Sequence, residues 1–393
     1  MPCPASSPNR EGAGATFVFA LCDLYMLART DSIAGTGMAM TRRRLMKLLG
    51  AGALLGGAGT MLFGRSANAY YAGPITDHFD GTVFFNPDGT GPKGPMALLR
   101  WQLLEPRAKW PEAFPSPFPQ AKPETRLAPG KVRVTHVGHA SFLVQAGGRN
   151  ILIDPVWSKR ASPLKAVGPK RVNAPGISFE DLPPIDLVLV THNHYDHLDT
   201  GVIGRLWQRD GAGVITPLGN DTIIRGDVPG ITIATRDWHD VVDVGDGLRI
   251  HFEPTVHWSA RGMRDRRHAL WASFVIETPQ HKIYCVGDSA FADGKVFRRV
   301  GEKHGRLDLA LLPIGAYEPR WMMSSSHMDP TESLQALQLC GAKAALGHHW
   351  GTFQLTNEAV DAPRADLAAA CAEQGVPAER FTAMHPGQVH DLA

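Results

Sequence analysis

Cysteine is scarce in this chain. Its 393 residues include five, of which Cys3 and Cys22 fall in a leader segment. The three others, Cys285, Cys340 and Cys371, are odd in number and lack paired spacing, so no disulfide framework is indicated. Net charge is scarce as well. Forty basic residues against 38 acidic ones leave +2, too little to hold a nucleic acid or another polyanion by bulk charge. The apolar, Gly-rich run over 48–63 falls short of the roughly 20 residues that span a bilayer, and no short-period repeat is present. Histidine is the residue in excess, at seventeen against six tyrosines, and that imbalance points to a metal site.

The charge is unevenly placed. Residues 1–69 carry seven basic and three acidic side chains, so the remainder is slightly acidic at −2. "TRRRLMK" at 41–47, the apolar run and "SANA" ending at Ala69 have the three-part build of a secretory signal. Thr41-Arg42-Arg43 with Leu45, Met46 and Lys47 resembles a twin-arginine export signal, which implies a periplasmic protein with cleavage after Ala69. Residues 1–37 fit no part of such a signal, and translation is expected to start at Met38 or Met40. The expected organisation is a signal over 38–69, a Pro- and aromatic-rich extension over 70–130 and the main folded domain over 131–393.

Within the extension only "MALLRWQLLE" at 96–105 reads as a helix, and the five prolines of 109–124 require an extended course. After Lys131, short alternating runs split by turn residues predict a strand meander, and "IDLVLVTH" predicts a buried strand. Helices are expected after Leu198, over 291–303, over 330–340 and near 357–374, with strands between them. "DGLRIHFEPTVHW" reads as one long strand. Two groups of strands with intervening helices predict two sheets packed face to face with helices outside, an α+β four-layer αββα sandwich.

"VTHNHYDHLD" at 190–199 crowds three histidines and an aspartate into six positions. Residues i and i+2 of an extended segment share a side, so His192 and His194 can aim at one point, while Asp196 and His197 face a neighbouring one. Such a set begins a two-metal site. His257, Asp288 and His349 follow later runs that read as strands. The expected division is His192, His194 and His257 on one ion, Asp196, His197 and His349 on the other, and Asp288 shared. Asp154 in "ILIDP" is expected to grip a ligand histidine. His136, His139, His251, His268, His281, His304, His348, His385 and His390 lack ligand spacing and read as structural or exposed. Arg261, Arg264 and Arg266 are candidates for a phosphate headgroup, and Trp101, Trp110, Phe114 and Phe118 for a lipid surface or packing.

The 192–197 run resembles the HxHxDH motif of the metallo-β-lactamase fold. Iron-binding oxidoreductases of that fold usually carry Glu where this chain has His194, so zinc and hydrolysis are favoured, with manganese or iron left open. "GAYEPRW" (315–321), the downstream His327, "HHWGTFQLTNE" (348–358) and "GHASFLVQAGGRNILIDPVWSKRASP" (138–163) resemble the N-acylphosphatidylethanolamine-hydrolysing phospholipase D family. The chain departs from that pattern at Arg267, where Asn is expected. The resemblance implies two zinc ions, a metal-bridging hydroxide attacking phosphorus, and release of N-acylethanolamine and phosphatidic acid. Asp196, Asp288 and His327 would be catalytic, with His327 orienting the nucleophile or protonating the leaving group. The partner would be a phospholipid, with peripheral membrane contact. The rival expectation is a hydrolase of a lactone or another small ester or phosphodiester, and a non-catalytic metal-dependent binder is disfavoured because the full ligand set is present.

Overall fold

The computed structural model describes residues 67–392, apart from Pro129 and Lys165. Residues 1–37 and all but the last three of the expected signal lie outside the described residues. Strand alternation begins at the expected place. β1 (Val132–Gly138), β2 (Ser141–Ala146) and β3 (Arg149–Ile153) form an antiparallel meander. Gly147 and Gly148 both take positive φ at the β2–β3 turn, as a tight hairpin of matching twist demands. β4 (Leu187–Leu189), α2 (Thr200–Asp210), β5 (Gly213–Pro217), α3 (Asn220–Asp227) and β6 (Ile233–Arg236) continue the sheet in parallel. The C-terminal β14 (Val389–Leu392) closes its other edge, giving the order β14-β1-β2-β3-β4-β5-β6.

The second sheet has the order β13-β12-β11-β10-β9-β8-β7. Its strands are β7 (Val241–Gly245), β8 (Leu248–Glu253), β9 (Ser273–Glu277), β10 (Lys282–Cys285), β11 (Leu309–Pro313), β12 (Ala344–His348) and β13 (Phe381–Ala383). Between them lie α4 (Lys295–His304), α5 (Arg320–Met323), α6 (Pro330–Cys340) and α7 (Ala362–Glu373). Both sheets mix parallel and antiparallel pairs.

Side-chain alternation builds the layers. Val134, Phe142, Val144, Ile151 and Ile153 of the first sheet meet Ile250, Phe252, Phe274, Ile276, Ile283 and Leu311 of the second in one buried core. The opposite faces are covered by helices. Leu143, Leu152, Val188 and Val214 pack on Val202, Ile203 and Leu206 of α2 and Ile224 of α3. Val275, Tyr284, Ala310 and Leu312 pack on Phe297, Val300, Leu334, Leu337 and Leu367 of α4, α6 and α7. The molecule is thus the four-layer α+β sandwich expected from the sequence.

The extension is bound to this body along its length. Phe79 and Phe84 are buried in the central core, and the proline segment makes backbone bonds at Phe114 N to Val172 O and Ala121 N to Gly176 O. Its helix, α1 (Pro95–Leu104), forms as expected. Three features differ from expectation. The long strand over "DGLRIHFEPTVHW" ends at Glu253, because Pro254 has no N–H for the ladder. The hairpin strand β7, the short helix α3 and the C-terminal strands carry weak periodicity and were not anticipated. The last long helix starts at Ala362 rather than near 357. Of the two roles expected for Trp101 the structure takes packing: it is buried, with its indole N–H donating to Asn357 Oδ1. Among the described residues no helix is long and apolar enough to cross a membrane.

Candidate metal centre

β4 delivers the histidine-rich loop to the end of the first sheet. The loop runs into α2, whose N-terminus is capped by Asp199 accepting from Val202 N. Within this loop His192 Nε2 lies 2.9 Å from His194 Nδ1. His257 arrives from the opposite sheet on the loop after β8, with its Nε2 3.3 Å from His194 Nδ1. Asp288, three residues beyond β10, places Oδ2 3.6 Å from His257 Nε2 and 3.9 Å from His192 Nε2. These four residues form one candidate ion site.

A second group adjoins it. His349 follows β12 directly, and its Nε2 lies 3.3 Å from Asp196 Oδ2 and 3.1 Å from Asp288 Oδ1. His197 Nε2 is 3.3 Å from Asp288 Oδ2 and 3.5 Å from Asp196 Oδ2. Asp288 therefore faces both groups, and the fold brings all seven expected ligand residues to one place. The group also contains a residue that sequence reasoning set aside. His139 Nε2 donates to Asp196 Oδ2 at 2.9 Å, and its donor atom belongs to the same cluster. Its one sequence signal was its position after Gly138 at a strand reversal, because a single histidine has no spacing to betray it.

The outer hydrogen bonds fix which ring nitrogens face inward. His257 Nδ1 donates to the carbonyl of Ser326 at 2.9 Å, leaving Nε2 for the centre. Asp154 accepts from His197 Nδ1 at 2.7 Å and also from Thr191 N and Thr191 Oγ1. Because the Thr191 hydroxyl donates to Asp154, its contact with His192 Nδ1 makes that ring nitrogen the donor and frees His192 Nε2.

The donor set fits divalent cations on its own evidence. His197 Nε2, His349 Nε2 and Asp288 Oδ1 are buried at the centre without a hydrogen-bond partner, an arrangement that costs free energy unless something binds there. Electrostatics agree. Burial disfavours a charged imidazole at His349, yet Asp288 and Asp196 together lift it to about 9. His197, equally buried, is raised well above the ordinary range by Asp288, Asp196 and Asp154. Burial opposes ionisation of Asp196 and Asp288, but the surrounding histidines hold both well below the usual carboxylate range. The carboxylates thus recruit positive charge into a buried site, as they would a divalent ion. His192 and His257 move the other way, their burial reinforced by neighbouring imidazoles at His192 and only partly offset by Asp288.

His327 sits beside the centre, Nδ1 3.8 Å from Asp288 Oδ2, largely buried and pushed down to about 4 by its burial. Its loop is braced by Arg320, which donates through Nη1 to His327 O and through Nη2 to Glu332 Oε2. Glu332 and Asp329 in turn form the capping box of α6.

The three arginines separate. Arg261 directs Nη1 to the carbonyls of Asn193 and Leu198, 3.1 and 2.9 Å away, and lays its guanidinium over the Tyr195 ring. It braces the histidine loop, supplying a donor to two of its carbonyls. Arg266 stacks on Trp258, itself 4.5 Å from His194 between ring centroids, and donates to Lys93 O. Arg264 is exposed. Arg267, the departure from the family pattern, has φ 63, a left-handed conformation that Asn adopts more readily.

Residues 149–350 match the model of the beta-lactamase superfamily domain. An N-acyl-phosphatidylethanolamine-hydrolyzing phospholipase D of Caenorhabditis elegans is 37% identical over 242 residues, spanning 59% of this chain and 68% of that protein. An uncharacterised protein of Mycobacterium tuberculosis is 34% identical over 307 residues, spanning 75% of this chain and 80% of its own. Among solved structures, an isothiocyanate hydrolase from Delia radicum gut bacteria shares the fold with a TM-score of 0.53 at 19% identity, over 66% of this chain and 98% of that one. This chain belongs to the beta-lactamase superfamily, among the metal-dependent hydrolases of metallo-β-lactamase fold that are similar to the N-acyl-phosphatidylethanolamine-hydrolysing phospholipases D.

Proposed function

We propose that this protein is a phosphodiesterase of phospholipase D type that converts N-acylphosphatidylethanolamine-like lipids to N-acylethanolamine and phosphatidic acid. His192, His194, His257 and Asp288 would hold one zinc ion, and Asp196, His197, His349 and Asp288 the other. Bound there, the ions would acidify water and neutralise charge on the phosphodiester. The chain's own residues supply the rest. Asp154, Thr191 and the Ser326 carbonyl orient the ligand imidazoles. His327, neutral at physiological pH, presents an unpartnered Nδ1 that can take a proton from the attacking water or pass one to the departing alcohol. A P–O bond forms to the water oxygen and the P–O bond to the ethanolamide oxygen breaks, with the proton ending on the alcohol.

The observation that carries the lipid assignment is α1. Met96, Leu98, Leu99, Leu103 and Leu104 of this ten-residue helix are all exposed, five of the eleven exposed large hydrophobic residues among those described. The helix is tied to the rim of the centre on both sides. Arg266 links Lys93 to Trp258 and so to His194, and Trp321, between Tyr317 and His327 in sequence, donates to Glu105. An apolar surface beside a polar, charge-hungry centre suits a substrate with an acyl body and a phosphate head, drawn from a membrane surface. A small lactone has no use for it. Export by the twin-arginine-type segment, with cleavage after Ala69, would place the enzyme beside such lipids in the periplasm, and N-terminal sequencing of protein recovered from cells tests that.

The test of function is direct. Full-length protein, zinc-loaded, is mixed with N-acylphosphatidylethanolamine in micelles, and products are followed by mass spectrometry with Asp288→Asn as control. Release of both products by the wild type alone supports the assignment. Intact lipid, with hydrolysis of a lactone panel instead, would replace it by the small-ester reading.

A further inference from the structure

His139 is bound to both halves of the second ion site. Its imidazole donates from Nε2 to Asp196 Oδ2 at 2.9 Å, the oxygen that also faces His197 and His349. Its carbonyl accepts from the backbone N–H of His349 at 2.9 Å and from His136 Nε2 at 3.1 Å. Its own N–H donates to Thr352 Oγ1 at 3.2 Å. One residue at the β1–β2 reversal thus grips a ligand from the first sheet by its side chain and a ligand after the second sheet by its backbone. The rings of His139 and His349 lie 4.1 Å apart.

The backbone underlines the point. His139 has φ 56 and His349 has φ 68, a left-handed conformation uncommon for non-glycine residues and costly unless the surroundings enforce it. The two strained residues are hydrogen-bonded to each other. His139 is fully buried, so its bond to Asp196 forms where water cannot compete.

We infer that His139 is the positioning residue of the second ion site, holding Asp196 in the orientation that binds the ion and joining it to His349. This rests on the two-ion reading of the centre. Outer partners of metal ligands typically govern affinity by about 10–100-fold, so His139 should set the occupancy of one ion and leave its neighbour's alone.

The test titrates zinc alone into metal-free full-length protein, with calorimetry and metal analysis as readouts. His139→Asn keeps a residue that tolerates left-handed backbone but is too short to reach Asp196, and His139→Gln restores length and an amide donor. The expected result is a second zinc step weakened about 10–100-fold in His139→Asn, a first step unchanged, and partial recovery in His139→Gln. Two unaltered steps in His139→Asn would overturn the inference. Equal weakening of both steps would also overturn it, since that marks general structural damage. A wild type that takes up a single ion would instead sink the two-ion reading on which the inference stands.

Discussion

Asp154 Oδ2 and His197 Nδ1 are hydrogen-bonded at 2.7 Å, and both side chains are fully buried. The carboxylate can only accept, so the imidazole must donate from Nδ1 and present Nε2 to the centre. Asp154→Asn can offer an amide N–H to the same nitrogen and turn the ring to the tautomer with Nε2 protonated. The expected outcome is zinc affinity at the second site reduced about 10–100-fold, with His192, His194 and His257 still holding the first ion. Zinc titration of the metal-free variant checks this.

The extension is fastened by His78, whose two ring nitrogens lie 2.6 and 2.7 Å from Asp77 Oδ1 and Asp237 Oδ1, with the ring stacked on Trp238 at 4.4 Å. Burial opposes its charge, but Asp237 and Asp77 outweigh burial and raise its pKa. The sign follows. A group whose folded pKa is raised stabilises fully below the unfolded value near 6.5, and the contribution fades as pH rises through the folded value. Asp237→Asn should therefore cost roughly 2 kcal/mol in acid, and the gap from wild type should narrow toward pH 9. Thermal unfolding across pH 5–9 measures it.

Glu253 is buried and accepts from Lys303 Nζ and His304 Nε2, both at 2.7 Å. Burial raises its pKa, yet hydrogen bonds from His239, His304 and Lys303 overcome this and depress it strongly. Here the sign is opposite, with stability present above the unfolded value and lost on acidification. Glu253→Leu leaves the donors of Lys303 and His304 without their acceptor and should destabilise by about 2 kcal/mol at pH 7, and by less at pH 4. Denaturant unfolding at the two values decides it.

Arg267 occupies left-handed backbone with its N–H donating to Ser259 O and its carbonyl accepting from Phe84 N. Arg267→Asn preserves those backbone bonds and should stabilise by about 1 kcal/mol. An unchanged or lowered melting temperature would show that the arginine side chain contributes something its backbone does not.

If α1 meets lipid, Leu99→Glu with Leu104→Glu should weaken binding to phospholipid vesicles at least about tenfold, since each buried leucine is worth about 1.5–3 kcal/mol. Hydrolysis of a soluble phosphodiester should be unaffected. Vesicle co-sedimentation and a chromogenic diester assay separate the two effects.

Much of the centre was legible because its chemistry is local. His192, His194, Asp196 and His197 are neighbours in sequence, so a single loop after β4 carries all four to the centre. Asp154 was legible from its place at a strand end. His139 was not, since its partner Asp196 lies 57 residues away and the contact exists only once the β1–β2 reversal packs against the histidine loop. The role of Arg261 was hidden for the same reason, as its acceptors are carbonyls more than 60 residues distant. His257 was placed on a strand because "EPTVHW" alternates, but Pro254 ends the ladder and a loop carries the ligand. The exposed face of α1 was not legible, because how the helix docks decides that Trp101 is buried and the aliphatic side chains stay outside.

The most direct measurement is hydrolysis of N-acylphosphatidylethanolamine in ¹⁸O-water by the zinc-loaded full-length enzyme. Attack at phosphorus predicts one ¹⁸O in phosphatidic acid, none in the N-acylethanolamine, and no product from Asp288→Asn. Label in the ethanolamide, or no phosphatidic acid from a protein holding two ions, would contradict the account.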